Sequence, residues 1–127
     1  MLQDRGLSEA LANAARRAPI ATRVEAAGGR YEPEIEATVY FCCLEALQNA
    51  AKYAGEGAQA TIRLREKEDV LLFEVADDGS GLDPARIGFG VGLTNMRDRL
   101  EATGGGLRIE STVGRGTRVV GTIPLVR

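Results

Sequence analysis

Val70-Leu-Leu-Phe-Glu-Val-Ala-Asp77-Asp-Gly79-Ser-Gly81 reads as a strand that carries a carboxylate into a glycine-rich turn. Val70 to Ala76 alternates, so Leu71, Phe73 and Val75 share a face, and by parity Asp77 shares it too. The carboxylate at the strand end would thus lie above an apolar floor. There it can accept a hydrogen bond from an exocyclic amino group, which adenine has and for which guanine substitutes a carbonyl. Gly79 and Gly81 would let backbone approach a ring closely. A surface turn explains the glycines but not the shared face. A calcium loop lacks its acidic ligand series and terminal Glu.

Upstream, Pro33 suits a first helical turn and opens a long helix running roughly to Lys52 or Tyr53. Val39, Cys43, Leu47, Ala50 and Ala54 recur at helical spacing as its apolar stripe. Within it, Glu45-Ala-Leu-Gln-Asn49-Ala-Ala-Lys52 puts Glu45, Asn49 and Lys52 at i, i+4 and i+7, a polar stripe nearly opposite. An Asn oxygen is a neutral hard ligand suited to magnesium, which keeps several waters and is completed by substrate phosphates. Glu45 could hold or polarise one such water, and Lys52 could reach a phosphate. The same three residues also suit a plain solvated helix face.

Downstream, Asp78 to Phe89 holds turn residues, and Gly88-Phe-Gly90-Val91-Gly92-Leu93 opens another helix marked by Leu93, Met96 and Leu100. Glycines before a helix free amides to meet phosphates. A hinge or simple loop accounts for them equally. No Gly-Lys-Ser/Thr follows, so this is not a P-loop, and no βαβ unit surrounds it. The helix stops at Gly104-Gly-Gly106. Leu107 to Ser111 and Thr117 to Ile123 form a terminal hairpin. Thr117 shares a face with Val119 and Ile123, and its hydroxyl could complete an adenine network or simply begin a strand.

The remaining segments fill in the architecture. Ser8 is a possible N-cap of a short helix from Leu7 to Ala18 that Pro19 closes, and Ile20 to Ala26 reads as a strand. Ala58 to Arg65 alternates, followed by a charged hairpin connection, Glu66 to Asp69. Helix, strand, long helix, two strands, glycine loop, helix, two strands predicts a single α+β domain over 1–127, a sandwich on a mixed sheet.

Composition sets outer limits. The 127 residues are 44% hydrophobic and 27% charged with a net charge of −2, ordinary for one soluble domain and without a nucleic-acid footprint. No apolar run approaches a membrane span and no signal peptide is visible, which predicts a cytosolic domain without membrane contact. There is no histidine, so triads and histidine metal sites are excluded. Cys42 and Cys43 are adjacent, face different directions on a helix and read as small buried residues.

Taken together, these stretches resemble the catalytic ATP-binding domain of sensor histidine kinases. That domain belongs to the ATPase group shared with heat-shock chaperones, type II topoisomerases and mismatch-repair proteins. The similarity covers nearly the whole chain, including Gly104-Gly-Gly-Leu-Arg-Ile-Glu-Ser-Thr-Val-Gly-Arg-Gly-Thr117. It implies ATP and Mg2+ as ligands, with Asn49 as the magnesium-binding asparagine and Glu45 as its partner acid. Lys52 would contact phosphate, Asp77 would read adenine, and Gly79 and Gly81 would shape the base pocket. Gly90, Val91, Gly92 and Leu93 match the second glycine box, and Thr117 the threonine of the adenine network. The implied fold is a two-layer sandwich of three helices on a mixed five-stranded sheet. Only eight residues separate Gly81 from Gly90, too few for a long lid, so the chain resembles the short-lid NarL-type subgroup. Arg97 and Arg99 fit that subgroup, or an exposed helix face.

The implied reaction transfers the ATP γ-phosphate to a histidine on a separate dimerising helical domain, and a NarL-type response regulator is the implied downstream partner. That acceptor domain is absent here, so the chain reads as an excised domain or natural fragment, whose full-length kinase can be membrane-anchored. An anti-sigma-type serine kinase and a degenerate partner-docking module are the alternatives.

Overall fold

The computed structural model describes residues 2–26, 29–79, 90–112 and 114–125. Eight elements follow in order: α1 (Leu2–Arg17), β1 (Ala21–Ala26), α2 (Pro33–Tyr53), β2 (Gln59–Lys67), β3 (Val70–Asp77), α3 (Gly90–Ala102), β4 (Gly106–Thr112) and β5 (Gly116–Pro124). The strands form one sheet in the order β1-β2-β3-β5-β4. β1 runs parallel to β2, and the other neighbours are antiparallel, so the sheet is mixed. The three helices cover one face, as expected of a two-layer α+β sandwich. Among the described residues no helix is long and apolar enough to cross a membrane.

Strand alternation decides which side chains meet the helices. Ala60, Ile62 and Leu64 of β2, Leu71, Phe73 and Val75 of β3, and Val119 and Ile123 of β5 are buried on the covered face. Opposite them lie Leu7, Leu11, Val39, Cys43, Leu47, Met96 and Leu100. Phe73 pairs with Gly121 across β3 and β5, where a Cβ would stand 2.1 Å from the ring. The glycine thus makes room for the largest core side chain. Burial raises the thiols of Cys42, to about 12, and of Cys43 further still, so both are held un-ionised, as packing residues.

The other face of the sheet carries charges of alternating sign. Arg63 on β2 donates to Glu25 on β1 at 3.0 Å and to Glu74 on β3 at 2.8 Å. Arg118 on β5 reaches Glu74 at 2.5 Å and Glu110 on β4 at 3.2 Å. One ladder therefore crosses all five strands.

Two local features differ from the sequence expectation. The first helix begins at Leu2 rather than after Gly6, with a kink at Gly6 (φ 85°, ψ 174°), so Ser8 lies inside the helix instead of capping it. The charged connection is tighter than four residues: β2 continues to Lys67, and Glu68 and Asp69 alone make the turn with φ of 53° and 61°. Two consecutive left-handed residues match the twist of a two-residue hairpin, which overrides their own preference.

Candidate functional site

Asp77, Thr117 and Ser111 are register partners in one row across β3, β5 and β4. They stand at the end of the helix-covered face, as the parity of Leu71, Phe73 and Val75 requires. With Glu110, Arg115, Gly116 and Arg118 they line a cavity of about 180 Å³ at the end of the sheet. Asp77 is half-buried, and Gly79 donates its backbone N–H to Oδ1 at 2.9 Å. Burial pushes the Asp77 carboxyl above the usual carboxylate range; backbone N–H groups of Gly79 and Thr117 hold it back, and the Asp78 charge adds to the rise. Among the described residues Asp77 has no ion pair.

Its neighbour Asp78 has the opposite role. Gln59 donates its N–H to Asp78 Oδ1 at 2.6 Å, and Asp78 donates its own N–H to the Gln59 carbonyl at 3.1 Å. That two-way clasp ties the end of β3 to the start of β2 and leaves Asp77 as the acid turned to the cavity. Two glycines fix the same corner. A Cβ on Gly79 would lie 2.4 Å from both Cβ and the carbonyl of Ala54, so this turn is seated directly on the end of α2. A Cβ on Gly116 (φ +90°) would lie 2.0 Å from the Asp77 carbonyl.

The Ala54 contact brings the last turns of α2, which carry the polar stripe, beside the Asp77 turn. Glu45 and Asn49 are half-buried and Lys52 is exposed. The Lys52 ammonium sits 5.3 Å from the Tyr53 ring centroid. Its side chain also borders a groove of about 510 Å³ between α1 and α2, lined by Ala14, Pro19, Leu44 and Leu47 among others. Lys52 therefore occupies the edge of the stripe nearest α1.

α3 packs antiparallel to α2. Cys42 Sγ contacts the Met96 carbonyl at 3.9 Å, the Arg99 guanidinium lies 4.1 Å from the Phe41 ring centroid, and Ile35 shares a hollow with Ala102 and Thr103. Continued at about 1.5 Å per residue, that pairing brings Gly90 to Leu93, the first turn of α3, level with Glu45 and Asn49. Backbone N–H groups of a first helical turn have no intrahelical acceptor. Gly81 and Gly88 lie outside the described residues.

The donor set fits a magnesium nucleotide. Among the described residues no three Cys, Asp or Glu side chains gather to hold a metal themselves. A cation there would rest on a neutral oxygen such as that of Asn49 and on its ligand's own phosphates. The half-buried Asp77 keeps lone pairs for a ligand, and Gly79 and Gly116 bring no side chain of their own to its rim. Sequence reasoning missed Ser111, whose hydroxyl lies 2.8 Å from that of Thr117. Its only signal is parity with Ile109 and Leu107, which reveals nothing until the β4–β5 register is known. It also missed Glu36, 1% exposed in the first turn of α2, held by Arg30 at 3.1 Å and by the Tyr31 N–H at 3.2 Å.

Comparisons with known proteins bear on the family and the fold. Residues 34–127 match the profile of the family described as histidine kinase-, DNA gyrase B-, and HSP90-like ATPase. The signal transduction histidine-protein kinase/phosphatase UhpB of Salmonella typhimurium is 40% identical over 87 residues, 68% of this chain but 17% of that protein. The chain thus spans about a sixth of that relative's length. The histidine kinase domain of the Erythrobacter litoralis EL346 blue-light activated histidine kinase superposes with a TM-score of 0.73 at 24% identity, over 94% of this chain and 57% of that one. The mycobacterial sensor histidine kinase MprB gives 0.69 at 21% identity, over 93% and 91%. At these identities the structural likenesses establish the fold.

Proposed function

The chain belongs to the histidine kinase-, DNA gyrase B-, and HSP90-like ATPase family, and from that premise we propose that it is the ATP-binding catalytic domain of a two-component sensor histidine kinase. The observation that carries the reading is Asp77: a half-buried carboxylate, raised by burial and, among the described residues, without a cation, at the corner where the end of α2 meets the end of β3.

In this reading Asp77 and Thr117 receive the adenine edge, and Gly79 and Gly81 leave room for the ring. Asn49 would hold Mg2+, which neutralises charge on the phosphates when bound, while Glu45 orients a metal water. Lys52, exposed on the same helix, supplies a positive charge to the phosphates. Gly90, Val91, Gly92 and Leu93 offer the free N–H groups and positive end of α3 to the same phosphates. Phosphoryl transfer asks for positioning and charge neutralisation more than covalent chemistry, and these groups suit it. The acceptor is a histidine outside this chain, which has none. It would lie on the kinase's own dimerising, histidine-phosphotransfer domain. The short Gly81–Gly90 interval favours the NarL-type subgroup and hence a NarL-type response regulator downstream. The domain would act on the cytoplasmic side, whether or not the full-length kinase is membrane-anchored.

Titration with labelled ATP, with and without magnesium, tests the site. Asn49→Asp should alter the magnesium dependence of binding; an unaltered dependence removes Asn49 from the metal. Incubation with ATP and a histidine-bearing helical domain tests the reaction. An acid-labile phosphoprotein supports the kinase, an acid-stable one a serine kinase of the anti-sigma type, and no transfer despite ATP binding a docking module.

A further inference from the structure

The sheet face that no described helix covers carries a surplus of cations. By register and parity, Arg23, Arg63, Arg65, Lys67, Arg108 and Arg118 stand on it with Glu25, Glu74 and Glu110. Six cations thus share a face with three carboxylates, on a chain whose net charge is −2. Each carboxylate already has two arginines: Glu25 meets Arg23 and Arg63, Glu74 meets Arg63 and Arg118, and Glu110 meets Arg108 and Arg118. Lys67 adjoins the acidic Glu68–Asp69 turn. Arg65 is left in the middle of the face, and among the described residues it has no ion pair. Arg63, Arg65 and Arg118 line a trough of about 470 Å³, with Leu72, Glu74 and Ala76 of β3 between them. Arg63 spends Nε and Nη1 on Glu25 and Glu74, so its Nη2 group remains for another acceptor. Glu74 holds both flanking guanidiniums in place, and a ligand need not order them itself.

We propose that this trough docks an acidic, partly apolar segment of a partner protein. Its carboxylates meet Arg65 and the Nη2 group of Arg63, and its small apolar side chains lie on Leu72 and Ala76. Three fixed carboxylates interleave with the cations, so a uniformly anionic surface such as a bilayer or a polyphosphate would be repelled at every second step. Separate carboxylates can be placed between those acids, and the guanidinium fork fits them. Asp77 and Thr117 point to the other face of the sheet, so a docked segment and a nucleotide can be held together. The proposal does not depend on the ATP reading.

NMR titration of the isotope-labelled chain with a short peptide of alternating glutamate and alanine tests it. Amide shifts should move in β2, β3 and β5 around Arg63, Leu72 and Arg118, with a dissociation constant of about 1 mM that rises several-fold with added salt. Arg65→Glu should weaken the peptide about tenfold. Arg17→Glu makes the same charge change on the helical side and should leave the peptide within twofold or so. Should circular dichroism show that Arg65→Glu does not fold, Arg65→Gln carries the same test with a smaller loss. Asp77→Asn should leave peptide binding unchanged, so the two readings fail separately. Equal losses in Arg65→Glu and Arg17→Glu, or shifts that map elsewhere, overturn the proposal, as does the absence of binding. Tighter binding of the same face to phosphatidylserine vesicles or to polyphosphate than to the peptide overturns it in favour of those surfaces.

Discussion

Glu74 and Asp77 lie three residues apart on β3 and point to opposite faces of the sheet. Glu74 is 6% exposed, and burial pushes its carboxyl up, yet hydrogen bonds from Arg63 and Arg118 more than offset that and leave it below its ordinary value. Burial pushes Asp77 up as well, and backbone N–H groups only partly answer it. Desolvation has the same sign at both residues; company differs. The open face uses its carboxylate to tie strands together, while the covered face keeps one beside the cavity that, among the described residues, meets backbone N–H groups and no cation. An acid that the fold does not consume is what a ligand can use.

The widest separation between the two should come from Asp77→Asn. ATP affinity should fall about a hundredfold, since an amide replaces a charged acceptor. The melting temperature of the ligand-free chain should hold or rise, because the uncompensated charge is gone. A variant that binds ATP normally, or that unfolds, would erase the contrast. Glu74→Ala should behave in the reverse sense, costing about 1–3 kcal/mol in urea unfolding while ATP affinity stays within twofold or so. Arg63 and Arg118 retain Glu25 and Glu110, which limits the loss.

A carboxyl-detected NMR titration of the ligand-free chain sharpens the same contrast. Asp77 should titrate above its ordinary 3.8 and Glu74 below its ordinary 4.5. The signs for stability are opposite. Glu74 supports the fold above its ordinary value, and that support is lost as pH falls through its lowered one. Asp77 favours the fold below its ordinary value, and that contribution is lost as pH rises through its raised one. Smallest of all should be Arg23→Ala at the solvent end of the ladder, where an exposed pair should leave the melting temperature unmoved.

The elements were legible because the chain alternates where it is strand and repeats at helical spacing where it is helix. The buried stripe of α2 and the apolar face of β3 needed nothing but those periods. The tandem acids show where that reading stops. Parity aimed Asp77 at the covered face, but only the clasp with Gln59 shows that Asp78 is structural. The ladder was invisible because Glu25, Arg63, Glu74, Arg118 and Glu110 are joined by sheet order, and β5 inserting between β3 and β4 is a long-range event. Arg99 does stand on an exposed helix face, and only the packing of α3 on α2 shows that it also covers the Phe41 ring. Nothing in the sequence singles out Glu36, and only the path of Arg30 explains its burial.

The kink at Gly6 reaches further than its own helix. A methyl group there would stand 2.9 Å from Cδ of Arg30, the side chain whose guanidinium neutralises Glu36. Restoring the missing carbon would press on the stem of that cation and loosen one of the two holds on Glu36, the Tyr31 N–H being the other. A vacancy one atom wide in α1 thus keeps the long helix electrically quiet at the end remote from its polar stripe.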